Sequence, residues 1–495
     1  MRYQSTRDSG ISVTAAEAIT QGLSPDGGLF LPESLPVLTP DMLHEMIPMQ
    51  YSERAAHTLG MFLDGFSGEE LAAFTAEAYG QPGFSHTSAA PLHKLDSGTF
   101  FLELWHGPTC AFKDMALQIL PHLLSASLKK TSESREVCIL VATSGDTGKA
   151  ALEGFSGVEG TRIMVFYPKD GVSEVQKLQM ITQGGGNVNV VAVDGNFDDT
   201  QTGVKAIFSD GRLRAQLGER GFFLSSANSI NWGRLVPQIV YYISAYCDLI
   251  AAREIKYGEK INFCVPTGNF GNILAAWYAE KMGLPVGKLI CASNRNDVLT
   301  QFINTGSYDR NRPFYTTISP SMDILVSSNL ERLLFEMSGK DSGAVSKYMS
   351  ALSKTGQYTV PGKVKDEIGR IFAGACCSEE DTKLTIAEVF GKHKYLIDTH
   401  TAVGYKVLSE YRSAAHDDTP AVVVSTASPF KFCENVLEAL GIESNASGAA
   451  LLSVLANATG CPIPEPLAAL SGKEPRFTHS VAAGEMQNAV RDFLI

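Results

Sequence analysis

The sequence predicts an α/β protein built on mainly parallel, twisted sheets, and three observations carry that reading. Short β-rich runs alternate with helical patterns through the middle of the chain. At 495 residues the chain is too long for one compact core, so two or three domains are expected. With 44% hydrophobic and 19% charged residues, the composition is that of a soluble globular protein.

Val137–Val141, Ile163–Tyr167 and Val188–Val193 read as buried strands, followed or separated by helices near 147–155, 173–183 and 198–209. Ile261–Val265 is a further strand before a helix at about 271–282, and Leu289–Ala292 and Ala421–Val424 complete the set. Leu235–Ala252 is apolar but interrupted by Pro237, Gln238 and Asp248, which predicts a buried helix and not a membrane span.

The formal net charge of −12 excludes a basic footprint for nucleic acid. Nine cysteines without a Cys-x-x-Cys spacing predict neither a disulfide framework nor a metal site, and point to a reducing compartment. The opening MRYQSTRDSG has no apolar run, so no secretory signal is expected and the location expected is cytoplasmic.

In parallel α/β folds ligands sit beyond the carboxyl ends of strands. Five segments there carry unusual chemistry. In Leu104–Asp114 (LWHGPTCAFKD), Lys113 precedes an apolar stripe at helical spacing, Leu117, Leu120, Leu124 and Leu128. A helix N-terminus and partial burial both lower an amine's pKa, as Schiff-base chemistry requires. On this segment alone a solvated lysine is the commoner outcome. Ala142–Gly148 (ATSGDTG) presents small hydroxyls and backbone amides to an anion. It is not a nucleotide P-loop, because Thr143 replaces the first glycine and Ala150 follows Lys149.

Pro266–Asn272 (PTGNFGN) places Gly268 and Gly271 where a backbone wraps a phosphate. Ser226–Arg234 (SANSINWGR) leads into the long apolar helix, with Asn228 and Ser229 suited to its N-cap and Arg234 as a forked donor for a second anion. Val424–Lys431 (VSTASPFK) is the last strand-to-helix turn, where Thr426 offers one hydroxyl.

In this order and spacing the segments resemble the threonine synthases, pyridoxal-phosphate enzymes of the tryptophan-synthase-β type, in their longer bacterial and fungal form. The likeness begins at Tyr3–Arg7 (YQSTR) and Gln21–Pro32 (QGLSPDGGLFLP) and runs on to His400–Tyr405 (HTAVGY). It implies pyridoxal-phosphate fold type II: an N-terminal domain at 1–95, a large cofactor-binding domain at 96–140 and 231–495, and a small closing domain at 141–230. It implies conversion of O-phospho-L-homoserine and water to L-threonine and phosphate, by a monomer or homodimer that needs no metal.

Carried onto matching positions, Lys113 is the catalytic lysine that attaches the cofactor. Gly268, Asn269, Phe270, Gly271 and Asn272 cradle its phosphate, and Thr426 meets its ring nitrogen. Asp146 stands where many relatives have an Asn at the cofactor's 3-oxygen. Thr143, Ser144 and Thr147 receive the substrate's carboxylate or phosphate, and Asn228, Ser229 and Arg234 bind its phosphate. Ser428 departs from a frequent His. A phospho-lyase releasing a 2-oxo acid shares the early steps, and motifs do not separate the two. A non-catalytic relative would be marked by loss of the lysine, which is present.

Overall fold

A computed structural model describes residues 1–169 and 172–495. All six expected strands form. Three belong to a six-stranded sheet, ordered Phe372–Cys376, Val286–Ser293, Ile261–Pro266, Ala421–Ser425, Thr99–Glu103, Leu92–Asp96. Every neighbouring pair is parallel except the last, an antiparallel hairpin at the edge. The other three lie in a five-stranded, wholly parallel sheet, ordered Ser480–Ala482, Val188–Asp194, Thr161–Pro168, Glu136–Ala142, Phe222–Ser225. Parallel sheets are covered on both faces by crossover helices, so their strands are continuously apolar. Ile261–Pro266 is buried at every residue, and Glu136–Ala142 at all but its first.

A small antiparallel sheet of Ser12–Val13, Tyr3–Ser5 and Phe30–Pro32 opens the chain. Trp232–Ala251 is the buried helix expected from its composition, and it packs on Tyr51–Phe62 and Gly271–Met282. Among the described residues no helix is long and apolar enough to cross a membrane.

Three expectations shift. The stripe after Lys113 is not one helix but two, Asp114–Leu117 and Leu120–Lys130. Pro121 explains the break, since it fits the first turn of a helix and not its interior. The helix adjoining Lys113 is therefore a single turn, too short for its dipole to dominate that amine.

The division into domains also moves. Glu136–Ala142, placed mostly with the large domain, is a central strand of the five-stranded sheet. The last segment joins the same sheet: Ser480–Ala482 extends Val188–Asp194, and Met486–Leu494 buries Met486, Ala489, Val490 and Leu494 against Phe197–Ser209. Gly203 permits that approach, for a Cβ there would lie 2.2 Å from the Met486 sulfur. Finally, Asn231, not Asn228 or Ser229, caps Trp232–Ala251, its side chain accepting from the Gly233 amide at 2.8 Å.

Candidate functional site

Lys113 is held by the turn before it. The Thr109 amide and hydroxyl donate to the two Asp114 oxygens at 2.8 and 2.7 Å. A Cβ at Gly107 would lie 2.5 Å from the Asp114 side chain, so that position requires glycine. Beyond the turn, the Phe112 amide donates to the Thr426 carbonyl at 2.8 Å. Lys113 itself is 8% exposed. Its Nζ donates to Ser321 Oγ at 3.2 Å and lies 3.7 Å from Asp146 Oδ2. Burial pulls this amine's pKa down; Asp146 opposes that, while Lys431 and Arg234 add to it, and the net shift is downward.

Lys113 lines a cavity of about 650 Å³ at the carboxyl ends of both parallel sheets. All fourteen residues singled out from the sequence line this one cavity. Thr143, Ser144, Asp146 and Thr147 come from the turn after Glu136–Ala142, and Asn228, Ser229 and Arg234 from the entry to the long helix. Gly268 to Asn272 come from the turn after Ile261–Pro266, and Thr426 from the turn after Ala421–Ser425.

The first turn is built around Thr143, whose hydroxyl accepts from the Gly145 and Gly148 amides at 3.0 and 2.9 Å. Its role is thus partly to shape the loop. Ser144 and Thr147 are half-buried, with no hydrogen-bond partner for either hydroxyl among the described residues. Asp146 is almost fully buried. Burial raises its pKa, but Lys431, Lys113 and the Gln176 hydrogen bond outweigh that, and the carboxyl is held well below its usual range.

The 268–272 turn is crowded by design of its sequence. A Cβ on Gly268 would lie 2.4 Å from the Ser321 carbonyl oxygen, and one on Gly271 3.2 Å from the Asn329 amide nitrogen. Phe270 adopts a left-handed conformation, φ 63°, directly before the helix Gly271–Met282. Bulky residues rarely occupy that region except where the surroundings impose it, as at ligand clamps. Asn272 Oδ1 accepts from both the Tyr241 and Tyr242 hydroxyls, at 2.5 and 2.6 Å. Its Nδ2 is buried with no partner among the described residues, on a residue that lines the cavity.

Arg234 repeats that pattern with a full charge. It is 3% exposed and donates to the Ala227 carbonyl, while its Nε has no partner among the described residues. Burial lowers its pKa to about 10. A buried guanidinium nitrogen without a partner among the described residues is a strong donor held ready for an anion.

Sequence reasoning missed several contributors. Lys431 is wholly buried and lies 3.0 Å from Asp146 Oδ1. A lysine set between Phe430 and Phe432 was the available signal. Ser321 lies in a proline-interrupted stretch without periodicity, which gave none. His400, within a block noted only for its resemblance, lines the cavity; its Nδ1 is 2.7 Å from Asp398 and its Nε2 accepts from the Ser321 amide at 3.1 Å. Gln21, Leu23, Ser24 and Pro25 also line the cavity, bringing the N-terminal block to its wall. Ser428, the departure from the family pattern, is wholly buried and caps the next turn through the Phe430 amide.

Comparison with known proteins agrees with this geometry. Three family profiles match in sequence order: Threonine synthase N terminus over residues 2–79, Pyridoxal-phosphate dependent enzyme over 83–354, and Threonine synthase, C-terminal over 401–494. A threonine synthase from Pseudomonas aeruginosa is 41% identical over 440 residues, 89% of this chain and 90% of that one. The chain belongs to the threonine synthase family. Human threonine synthase-like 1 is 39% identical over 95% of this chain, which spans 64% of the human protein. The crystal structure of a PLP-bound threonine synthase from Brucella melitensis superposes with a TM-score of 0.87 at 37% identity, covering 100% of this chain and 99% of that one.

Like its family, the chain is a pyridoxal-phosphate-dependent lyase of fold type II, and its cavity fits that cofactor. A buried amine with a lowered pKa suits the aldehyde. A glycine turn at a helix N-terminus, with an unpartnered amide nitrogen beside it, suits the phosphate. A neutral hydroxyl at Thr426 suits an unprotonated ring nitrogen.

Proposed function

We propose that this member of the threonine synthase family converts O-phospho-L-homoserine and water to L-threonine and phosphate with the fourteen residues named above, Lys113 being the catalytic one. The observation that carries the reading is their convergence on one cavity, where a buried amine meets two nitrogen donors, Asn272 Nδ2 and Arg234 Nε, that have no hydrogen-bond partner among the described residues.

Gly268 to Asn272 hold the cofactor phosphate, Thr426 faces the ring nitrogen and Asp146 the 3-oxygen. Bound there, the cofactor supplies an aldehyde for the amine and a ring that spreads negative charge from the substrate carbon. Lys113 Nζ, as a neutral amine, takes the proton from the substrate Cα and returns it at the end. Arg234, with Asn228 and Ser229, binds the substrate phosphate until it leaves from Cγ. Ser144 and Thr147 bind the carboxylate, and Thr143 keeps their loop in shape. The N-terminal residues Gln21 to Pro25 and the five-stranded unit close the cavity, so water is kept from the substrate before phosphate departs.

The division proposed is an N-terminal unit near 1–95, a large unit on the six-stranded sheet, and a small unit on the five-stranded sheet. The assembly proposed is a monomer or homodimer. The nine cysteines are all thiols, in keeping with a cytoplasmic setting.

The test is direct. The purified protein, loaded with pyridoxal phosphate and reduced with borohydride, should carry the adduct on Lys113 in peptide mass spectrometry. A separate, unreduced sample given O-phospho-L-homoserine should release threonine and phosphate in equal amounts. An adduct elsewhere would overturn the lysine assignment, and a 2-oxo acid in place of threonine would overturn the reaction.

A further inference from the structure

Asp146 stands between two buried lysines, and its hydrogen bonding favours one of them. Lys431 Nζ donates to the Thr109 carbonyl at 2.7 Å and Gln179 Oε1 at 2.9 Å, and meets Asp146 Oδ1 at 3.0 Å. Three acceptors match the three hydrogens of an ammonium and use no lone pair, so Lys431 is built as a cation and not as a base. Gln176 Nε2 donates to the same Asp146 oxygen at 2.7 Å. Gly145 makes room for that amide, since a Cβ there would lie 2.6 Å from it. Only Oδ2 is left towards Lys113, at 3.7 Å, beyond hydrogen-bond distance.

The other charged groups around Lys113 offer it no counterion. Arg234 is a cation. His400 lies behind Ser321 and is engaged with Asp398. Asp114, next in the chain, has both oxygens taken by Thr109.

We propose that Lys431 is a positioning residue for Lys113: its ammonium takes up the charge of Asp146, so that the Lys113 amine stands in the cavity without a counterion of its own. An aspartate facing Lys113 alone would hold it as an ammonium, unable to act as nucleophile or base. Lys431 resolves that conflict and joins the two parallel sheets, because Asp146 follows a strand of one and Lys431 a strand of the other. The inference rests on Lys113 being the reactive lysine.

The test reads Lys113 in the cofactor-free protein, by trace acetylation with acetic anhydride across pH and mass spectrometry of its peptide. Lys431→Met should raise the titration midpoint of Lys113 by about one unit, leaving about ten-fold less neutral amine at neutral pH. Asp146→Asn should lower it, and the double variant Lys431→Met/Asp146→Asn should return it to the wild-type value. Opposite shifts that cancel are the mark of charge, which a packing defect does not produce. An unchanged midpoint in both single variants, or shifts of the same sign, would overturn the proposal. Should Lys431→Met not fold, as judged by near-ultraviolet circular dichroism, Lys431→Gln is read in its place. A raised midpoint there supports the proposal, and an unchanged one overturns it. Borohydride labelling of the loaded protein reads the assignment of Lys113 separately, so each reading can fail without the other.

Discussion

The Phe112 amide donates to the Thr426 carbonyl across 2.8 Å, and the Ser428 amide returns the contact to the Cys110 carbonyl at 3.1 Å. Lys113 and Thr426, far apart in sequence, are thereby fixed by backbone and not by flexible side chains. Each side chain of the pair can therefore be altered without displacing the other.

That independence gives the first prediction. Thr426→Val keeps the β-branched shape and the backbone bridge but removes the hydroxyl. Loss of one hydrogen bond is worth about 1 kcal/mol or somewhat more, so kcat should fall about five- to ten-fold. The borohydride adduct on Lys113 should form as in the wild type. A variant that no longer forms it would show that Thr426 supports the lysine segment and does not simply face the ring.

The second prediction concerns Asn272. Its Oδ1 is clamped by the Tyr241 and Tyr242 hydroxyls, which leaves Nδ2 as the free end. Either tyrosine alone retains one clamp, so Tyr242→Phe should weaken cofactor binding little. Tyr241→Phe/Tyr242→Phe frees the amide to rotate and should raise the cofactor Kd about ten-fold, comparable with Asn272→Ala. Fluorescence titration of the cofactor-free protein measures all three. Equal affinities throughout would mean that Nδ2 does not serve the phosphate.

The site was legible where its chemistry is local. The glycine turn at 266–272 can be read as a phosphate cradle within seven residues, whereas the lysine before the apolar stripe reads by itself as solvated, and only the ordered set of segments made Lys113 a candidate. Lys431 gave only a faint signal and Ser321 none, because their meaning lies in what they meet: Asp146 and Lys113, each in a turn distant in sequence. The fold shows the same limit. The continuously apolar central strands could be read, whereas Ser480–Ala482 is short, half-exposed and defined only by its partner Val188–Asp194. The split at Pro121 was readable in principle, but the leucine spacing masked it.

Asp114 supplies a prediction in pH. Burial raises its carboxyl to about 6 from an ordinary value of 3.8, although the two Thr109 hydrogen bonds oppose the shift. Between those values the folded chain binds the extra proton, so this group's contribution to stability falls as pH rises through about 4 to 6, and the full penalty stands above that window. Asp114→Asn can keep both Thr109 contacts, because the hydroxyl can reverse its role. Its stability relative to wild type should rise across this window and level off above it, by on the order of 1–3 kcal/mol. Urea unfolding at pH 5 and pH 8 checks this; a difference that shrinks with rising pH would refute it.

Arg234 sets function against stability. The wild-type fold buries a guanidinium that has only the Ala227 carbonyl as a described partner, so the free protein bears a desolvation penalty that a bound phosphate would relieve. Arg234→Met removes the charge and keeps most of the volume. It should raise the unfolding midpoint of the free protein while increasing KM for O-phospho-L-homoserine at least ten-fold, since a charge-assisted hydrogen bond is worth about 1.5–3 kcal/mol. Inorganic phosphate should stabilise the wild type in proportion to its occupancy and leave Arg234→Met unmoved. The combination matters more than either part, because a merely structural arginine would lose stability on replacement and show no difference in its response to phosphate. If Arg234→Met melts lower than the wild type and still binds substrate normally, the phosphate belongs to another group in the cavity.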